Sequence, residues 1–154
     1  MTAATFVHVG ITCKDAIATE QFYTRHFGFK RARVVPLDNS QIVFLKLGDT
    51  YLELFQATEE SPLPPPSNDG SQYPGWRHIA FQVDNVDAKL AEMGNDAQIK
   101  LGPLSFDNFI PGWRAAWISD PDGNIIEINQ GYVDQISPPS LEIPSSMDEA
   151  IPVS

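Results

Sequence analysis

The sequence predicts an α+β fold: two paired βαβββ modules, residues 5–57 and 76–132, whose strands form a mixed sheet. Three observations carry this reading. Apolar periodicity runs strand, helix, strand, strand, strand in each half. A Pro-rich stretch, residues 58–75, separates the halves. A histidine opens each half (His8, His78) and a glutamate sits in the last strand of each (Glu53, Glu127). An internal repeat constrains architecture more firmly than local propensity does.

The elements follow in order. Thr5 to Cys13 alternates, with Val7, Val9 and Ile11 on one face and Phe6, His8, Gly10 and Thr12 on the other, the pattern of a half-buried strand. Asp15 is placed to cap a helix over Ala16 to Phe27, which carries Ile17, Phe22, Tyr23 and Phe27 at helical spacing and stops at Gly28. Strands are expected at Lys30–Pro36, Gln41–Leu47 and Tyr51–Gln56, with turns at Asn39-Ser40 and Gly48-Asp49. Residues 57–75 hold five of the 13 prolines and read as a connector between modules, a lid being the other reading. The pattern then restarts. Trp76 to Val83 alternates, Asp84-Asn85 caps a helix over Val86 to Met93, and Gly94 ends it. Strands are expected at Gln98–Leu101 with Leu104–Phe106, at Gly112–Ser119 and at Asn124–Gln130. Residues 133–154, rich in Pro, Ser and acids, read as an extended or disordered tail.

Composition narrows the function. A chain of 154 residues with 42% hydrophobic residues can bury a real core. A formal net charge of −10 argues against nucleic acid and anionic membrane surfaces as partners. Lone Cys13 makes no intramolecular disulfide, the N-terminus lacks the features of a signal peptide, and no apolar run approaches the ~20 residues of a membrane span; a soluble, cytoplasmic protein is expected. Cys13 reads as a small buried residue, and His26, at the end of its helix, as exposed.

Strand periodicity selects the candidate site. In YLELFQ, Glu53 shares a face with Tyr51 and Phe55; in NIIEIN, Glu127 shares one with Ile125 and Asn129. In all four strands the His or Glu lies opposite an aliphatic face that would cover the helices. A carboxylate among Ile residues needs water, a basic partner or a metal ion to neutralise it. A lone strand His is commonly a satisfied polar residue, and a lone Glu on an open sheet is commonly solvated. Four of them at matching places in a repeat favour a metal site. If the sheet curls, His8, Glu53, His78 and Glu127 converge, a nitrogen and oxygen set suited to Zn, Ni, Co, Mn or Fe as a divalent ion.

HVGITCKD followed by FYTRHFGF, then LELF, RHIAFQVDNVD and DPDGNIIEI resemble the vicinal oxygen chelate superfamily. Its members include glyoxalase I, methylmalonyl-CoA epimerase, extradiol dioxygenases, fosfomycin-resistance enzymes and bleomycin-binding proteins. The resemblance covers about residues 5 to 132. It implies a glyoxalase-like cup of sheet around a metal, with the four ligand positions at His8, Glu53, His78 and Glu127. It further implies a lyase- or isomerase-type proton transfer on a small oxygenated substrate chelated to the ion, with Glu127 or Glu53 as the base. A non-catalytic small-molecule binding protein of the resistance type and an Fe(II) extradiol-type dioxygenase are the alternatives. The dioxygenases bind iron through two His and one Glu, and the bleomycin-binding branch generally lacks the ligands. A homodimer is expected, and the cup is made either within one chain or across two.

The long Pro-rich stretch between Glu53 and His78 departs from a compact glyoxalase I, and no basic cluster offers itself to glutathione carboxylates. Lys46, Arg77 and Arg114 are scattered candidates for holding an anionic substrate, with surface charge the preferred reading of each. Trp76, Trp113, Arg114 and Trp117 are the candidate pocket residues. Alternation leaves open which of Arg114, Ala115, Ala116 and Trp117 face the cavity.

Overall fold

The β-α-β-β-β order is realised twice. The structure, a computed structural model, describes residues 2–142. The first half comprises β1 (His8–Cys13), α1 (Ala16–Phe27), β2 (Lys30–Pro36), β3 (Gln41–Leu47) and β4 (Thr50–Gln56). The second comprises β5 (Ile79–Gln82), α2 (Val86–Met93), β6 (Gln98–Ser105), β7 (Arg114–Ser119) and β8 (Ile125–Gln130). Each half makes a four-stranded mixed sheet, ordered β1-β4-β3-β2 and β5-β8-β7-β6. In each, the first strand lies parallel to the last while the remaining pairs are antiparallel.

Both helices begin where a short polar side chain replaces the missing intrahelical acceptor. Asp15 accepts from the amides of Ile17 (2.9 Å) and Ala18 (3.3 Å), and Asn85 accepts from Ala88 (2.8 Å). Gly28, at φ 77°, ends α1 in the left-handed conformation that a Cβ would disfavour. The aliphatic faces then bury as the alternation predicts. Ile11, Cys13, Val43, Leu45, Leu52 and Leu54 of the first sheet join Ala116, Ile118, Ile126 and Ile128 of the second in one core with Phe22, Tyr23, Val86 and Met93. The two halves therefore share one hydrophobic interior. At their junction the Phe27 ring stacks on Phe81, centroids 4.3 Å apart.

Polar contacts pin α1 to the second half. The Tyr23 hydroxyl donates to Asp120 Oδ2 (2.7 Å). Asp122 accepts from the Thr19 hydroxyl (2.7 Å) and the Lys14 amide (2.6 Å). Asp120 is only 5% exposed, yet it accepts four hydrogen bonds, the other three coming from the Asp122 amide and from the amide and side chain of Asn124. Burial nevertheless pushes its carboxyl above the ordinary range, against the opposing pull of Asn124 and Tyr23. Burial first, and then the Asp120 charge, hold the Tyr23 phenol protonated, as its donor role requires.

Several expectations need correction. His26 is buried at 6% exposure rather than exposed, because its Nε2–H reaches Asp96 Oδ2 (2.8 Å) in the short 3₁₀ turn, Gly94–Asp96, that follows α2. Ile17 sits at helical spacing with the core residues yet is 65% exposed. β1 starts at His8 instead of Thr5, although the Val7 carbonyl still accepts from the Tyr51 amide (2.9 Å). β5 starts at Ile79, so Trp76 and His78 precede it. β6 is one strand with two register shifts, not two pieces. Residues 133–142 are exposed and lack regular secondary structure; the rest of the expected tail lies outside the described residues. Among the described residues no helix is long and apolar enough to cross a membrane.

Two measurements test this packing. A folded-state pKa raised above the unfolded value means that Asp120 binds its proton more tightly when folded. Its contribution is full below the unfolded value and is lost as pH rises through the folded one. The stability margin of wild type over Asp120→Asn in urea should therefore shrink as pH rises above about 4, the ordinary carboxylate value. A margin that grows with pH would mean that the four donors outweigh burial. Separately, burial and the neighbouring Asp122 and Asp120 charges push the Cys13 thiol up to about 12, against the pull of Thr19. The folded protein should take up no thiol reagent at neutral pH, and labelling should appear only on unfolding.

Candidate metal centre

The same small constellation occurs on the polar face of each sheet. Glu53 pairs in register with Gly10 on one side and Phe44 on the other. Glu127 pairs with Ala80 and Trp117. His8 lies two residues before Gly10, and His78 two before Ala80, so each histidine shares a face with its glutamate. His8 Nε2 stands 3.0 Å from Glu53 Oε2, and His78 Nε2 stands 3.5 Å from Glu127 Oε1. The aromatic partners close the set. The His8 and Phe44 rings meet edge to face at 6.2 Å, and those of His78 and Trp117 at 6.3 Å.

The sheets hold these groups half-buried. Both glutamate side chains are 17% exposed, His78 20% and His8 41%. Glu127 is further fixed by the Asn129 side-chain amide, which donates to its Oε2 at 2.5 Å, leaving Oε1 toward His78. The His78 Nδ1 donates to the backbone carbonyl of Asp69 at 2.6 Å. Each His thus meets its own Glu, but the two pairs remain separate. Among the described residues no three His, Cys, Asp or Glu side chains come together closely enough to hold one ion. Within one chain, then, the four residues stand as two pairs.

His8 and His78 do face a common cleft of about 550 Å³, walled by Phe6, Pro66, Trp76 and Arg77. Trp76 is 92% exposed at its rim. Trp117 lies on the Glu127 side of its strand, while Ala116 and Ile118 point into the core; none of Arg114, Ala115, Ala116 and Trp117 lines the cleft. Its indole Nε1–H is buried without a partner. Trp113 packs on Phe106 and Tyr132, and Arg114 is held by Asp87 (2.9 Å) and the Ser105 hydroxyl (2.9 Å); neither lines the cleft. Arg77 does line it, with Nε 3.4 Å from Asp69, whereas Lys46 rests over the Tyr51 ring at 5.5 Å. Sequence reasoning missed Phe44 and Asp69. Phe44 was visible as the first-half counterpart of Trp117, one strand before the Glu. The Asp69 contribution is a backbone carbonyl, which no side-chain pattern reveals.

The fold has counterparts among known structures. The chain is similar in structure to a glyoxalase family protein from Enterococcus faecalis (30% identity, TM-score 0.61, covering 81% of this chain and 96% of that one). It is similar also to the trypanothione-dependent glyoxalase I of Leishmania major (25%, TM-score 0.60, 84% and 88%). A third likeness is to TnmS3, an antibiotic-binding protein from Streptomyces sp. CB03234 (26%, TM-score 0.57, 86% and 99%). Residues 5–128 match the family model, and with two βαβββ halves carrying matched His–Glu pairs the chain belongs to the Glyoxalase/Bleomycin resistance protein/Dioxygenase superfamily.

Proposed function

We propose that the protein is a metal-dependent enzyme that moves a proton on a small oxygenated substrate, a lyase or isomerase, with His8, Glu53, His78 and Glu127 as the ligands of one divalent ion. The observation that carries this reading is the placement of both His–Glu pairs at equivalent register positions of two sheets. Two imidazole nitrogens and two carboxylates form a donor set that suits Zn, Ni, Co, Mn or Fe. The ion would supply Lewis-acid polarisation of substrate oxygens. The chain supplies the rest. Glu127 accepts the proton at Oε1, the oxygen that Asn129 does not engage, and Glu53 is the second candidate base. Phe6, Pro66 and Trp76 would exclude water, and the cleft is of a size that takes a small molecule.

The reading includes a second copy of the chain. Because the two pairs stay apart within one chain, the ion would take one pair from each of two copies in a homodimer. The open edges of β1 and β5 and the exposed Phe6, Val7 and Trp76 beside the histidines support this. The lone, inert Cys13 supports a cytoplasmic setting.

The separation of the pairs equally favours a second reading, non-catalytic binding of a small aromatic or hydrophobic molecule with Trp76 as a wall, in line with the likeness to an antibiotic-binding protein. Elemental mass spectrometry of the purified protein separates the two. The enzyme reading expects a bound ion that is lost in His8→Ala/His78→Ala. Absence of metal even after incubation with divalent ions would leave the binding reading standing, and bound iron with oxygen uptake on a catechol would identify the dioxygenase branch. Glu127→Gln should abolish metal-dependent turnover; an unchanged rate removes Glu127 from the reaction. If the site spans two chains, mixing inactive His8→Ala with inactive His78→Ala should restore part of the activity, because a mixed dimer keeps one intact site. No recovery after subunit exchange would place the site within one chain.

A further inference from the structure

The Pro-rich segment between the two halves reaches into the site, and it does so at one atom. The Asp69 carbonyl oxygen lies 2.6 Å from His78 Nδ1. A carbonyl can only accept, so Nδ1 carries the hydrogen. In a neutral imidazole, Nε2 is then unprotonated. Nε2 and Glu127 Oε1 face each other at 3.5 Å, two acceptors with no hydrogen between them. Such a pair repels unless a cation or a donor comes between.

The carbonyl is held there by the local backbone. Gly70 has φ 117°, and a Cβ on it would fall 2.1 Å from the Arg77 carbonyl oxygen, so only glycine fits between the segment and the residue preceding His78. The Gly70 amide donates to the Ser67 carbonyl at 2.9 Å, closing a tight turn. Asp69 Oδ2 lies 3.4 Å from Arg77 Nε. Further back, Pro65 packs against Gly123 of the turn before β8. The segment thus lies against the residues that lead into β5 and β8, the strand pair that follows His78 and carries Glu127. Among the described residues His8 has no such contact on its Nδ1.

We propose that residues 67–70 act as a positioning element that locks His78 in the Nδ1–H tautomer and presents its Nε2 lone pair toward Glu127, with Gly70 as the residue that makes the close approach possible. The inference rests on the metal-centre reading for its purpose, though its geometry stands without it. An imidazole that donates its other N–H to a backbone carbonyl is fixed in orientation and is a better ligand.

The test begins with the full-length, metal-free wild-type protein. Nitrogen-15 chemical shifts of the His78 ring, assigned by their loss in His78→Gln, should report the Nδ1–H tautomer in neutral imidazole. An Nε2–H tautomer overturns the proposal whatever the metal does. Gly70→Ala should shift the ring toward a tautomer mixture and weaken Ni²⁺ or Zn²⁺ binding, read by calorimetry, by about 10- to 100-fold. Unchanged tautomer and affinity in Gly70→Ala would overturn the role of the turn. If wild type binds no metal at all, the metal-centre reading fails, and the tautomer measurement by itself decides the positioning role.

Discussion

The Asp120 carboxylate is the constraint on which the rest of the structure depends. It is buried, and a buried carboxylate is tolerated only when its lone pairs are occupied. Asp120 meets that condition by folding the Asp120–Asn124 turn around itself and by drawing the Tyr23 hydroxyl from α1. One group therefore sets the entry of β8 and the position of the first helix. Asp122, two residues on, repeats the link through Thr19 and the Lys14 amide. The two halves cannot slide on their shared core without leaving these oxygens unpaired, at a cost of about 1–3 kcal/mol for each lost partner.

The site inherits its geometry from that turn. β8 carries Glu127 immediately after it, and β5, parallel to β8, brings Ala80 alongside with His78 two residues earlier. The first half reproduces the set through β4 and β1 with no equivalent buried carboxylate; there Phe44 stands where Trp117 stands. The repeat explains why each sheet makes a His–Glu pair. It does not bring the pairs together, since the halves share their aliphatic interior and each polar face carries its own pair. The halves also differ. His78 is oriented by the segment between them, while His8 is twice as exposed and has no such support.

Most of the fold was legible because its signals are local. Alternation located the strands, and Asp15, Gly28 and Asn85 marked the helix ends. The structure departed from these expectations where a distant contact intervened. His26 is buried because Asp96, far along the chain, lies within reach. β5 is cut short where Arg77 and His78 engage the Asp69–Gly70 turn. Ile17 shows the converse. Its spacing marks it as core, but the neighbouring half presents nothing to cover it.

By itself, the sequence determined the two βαβββ halves, the four residues on the polar faces opposite their core and the superfamily, because each is written in periodicity and in short motifs that read the same in any context. Tertiary structure alone decided that the four residues form two pairs in one chain, that Trp117 faces Glu127 while Arg114 turns to Asp87, and that the Pro-rich segment supplies a carbonyl to His78. These depend on how the sheets pack and on where backbone atoms fall, and neither quantity is encoded in residue type.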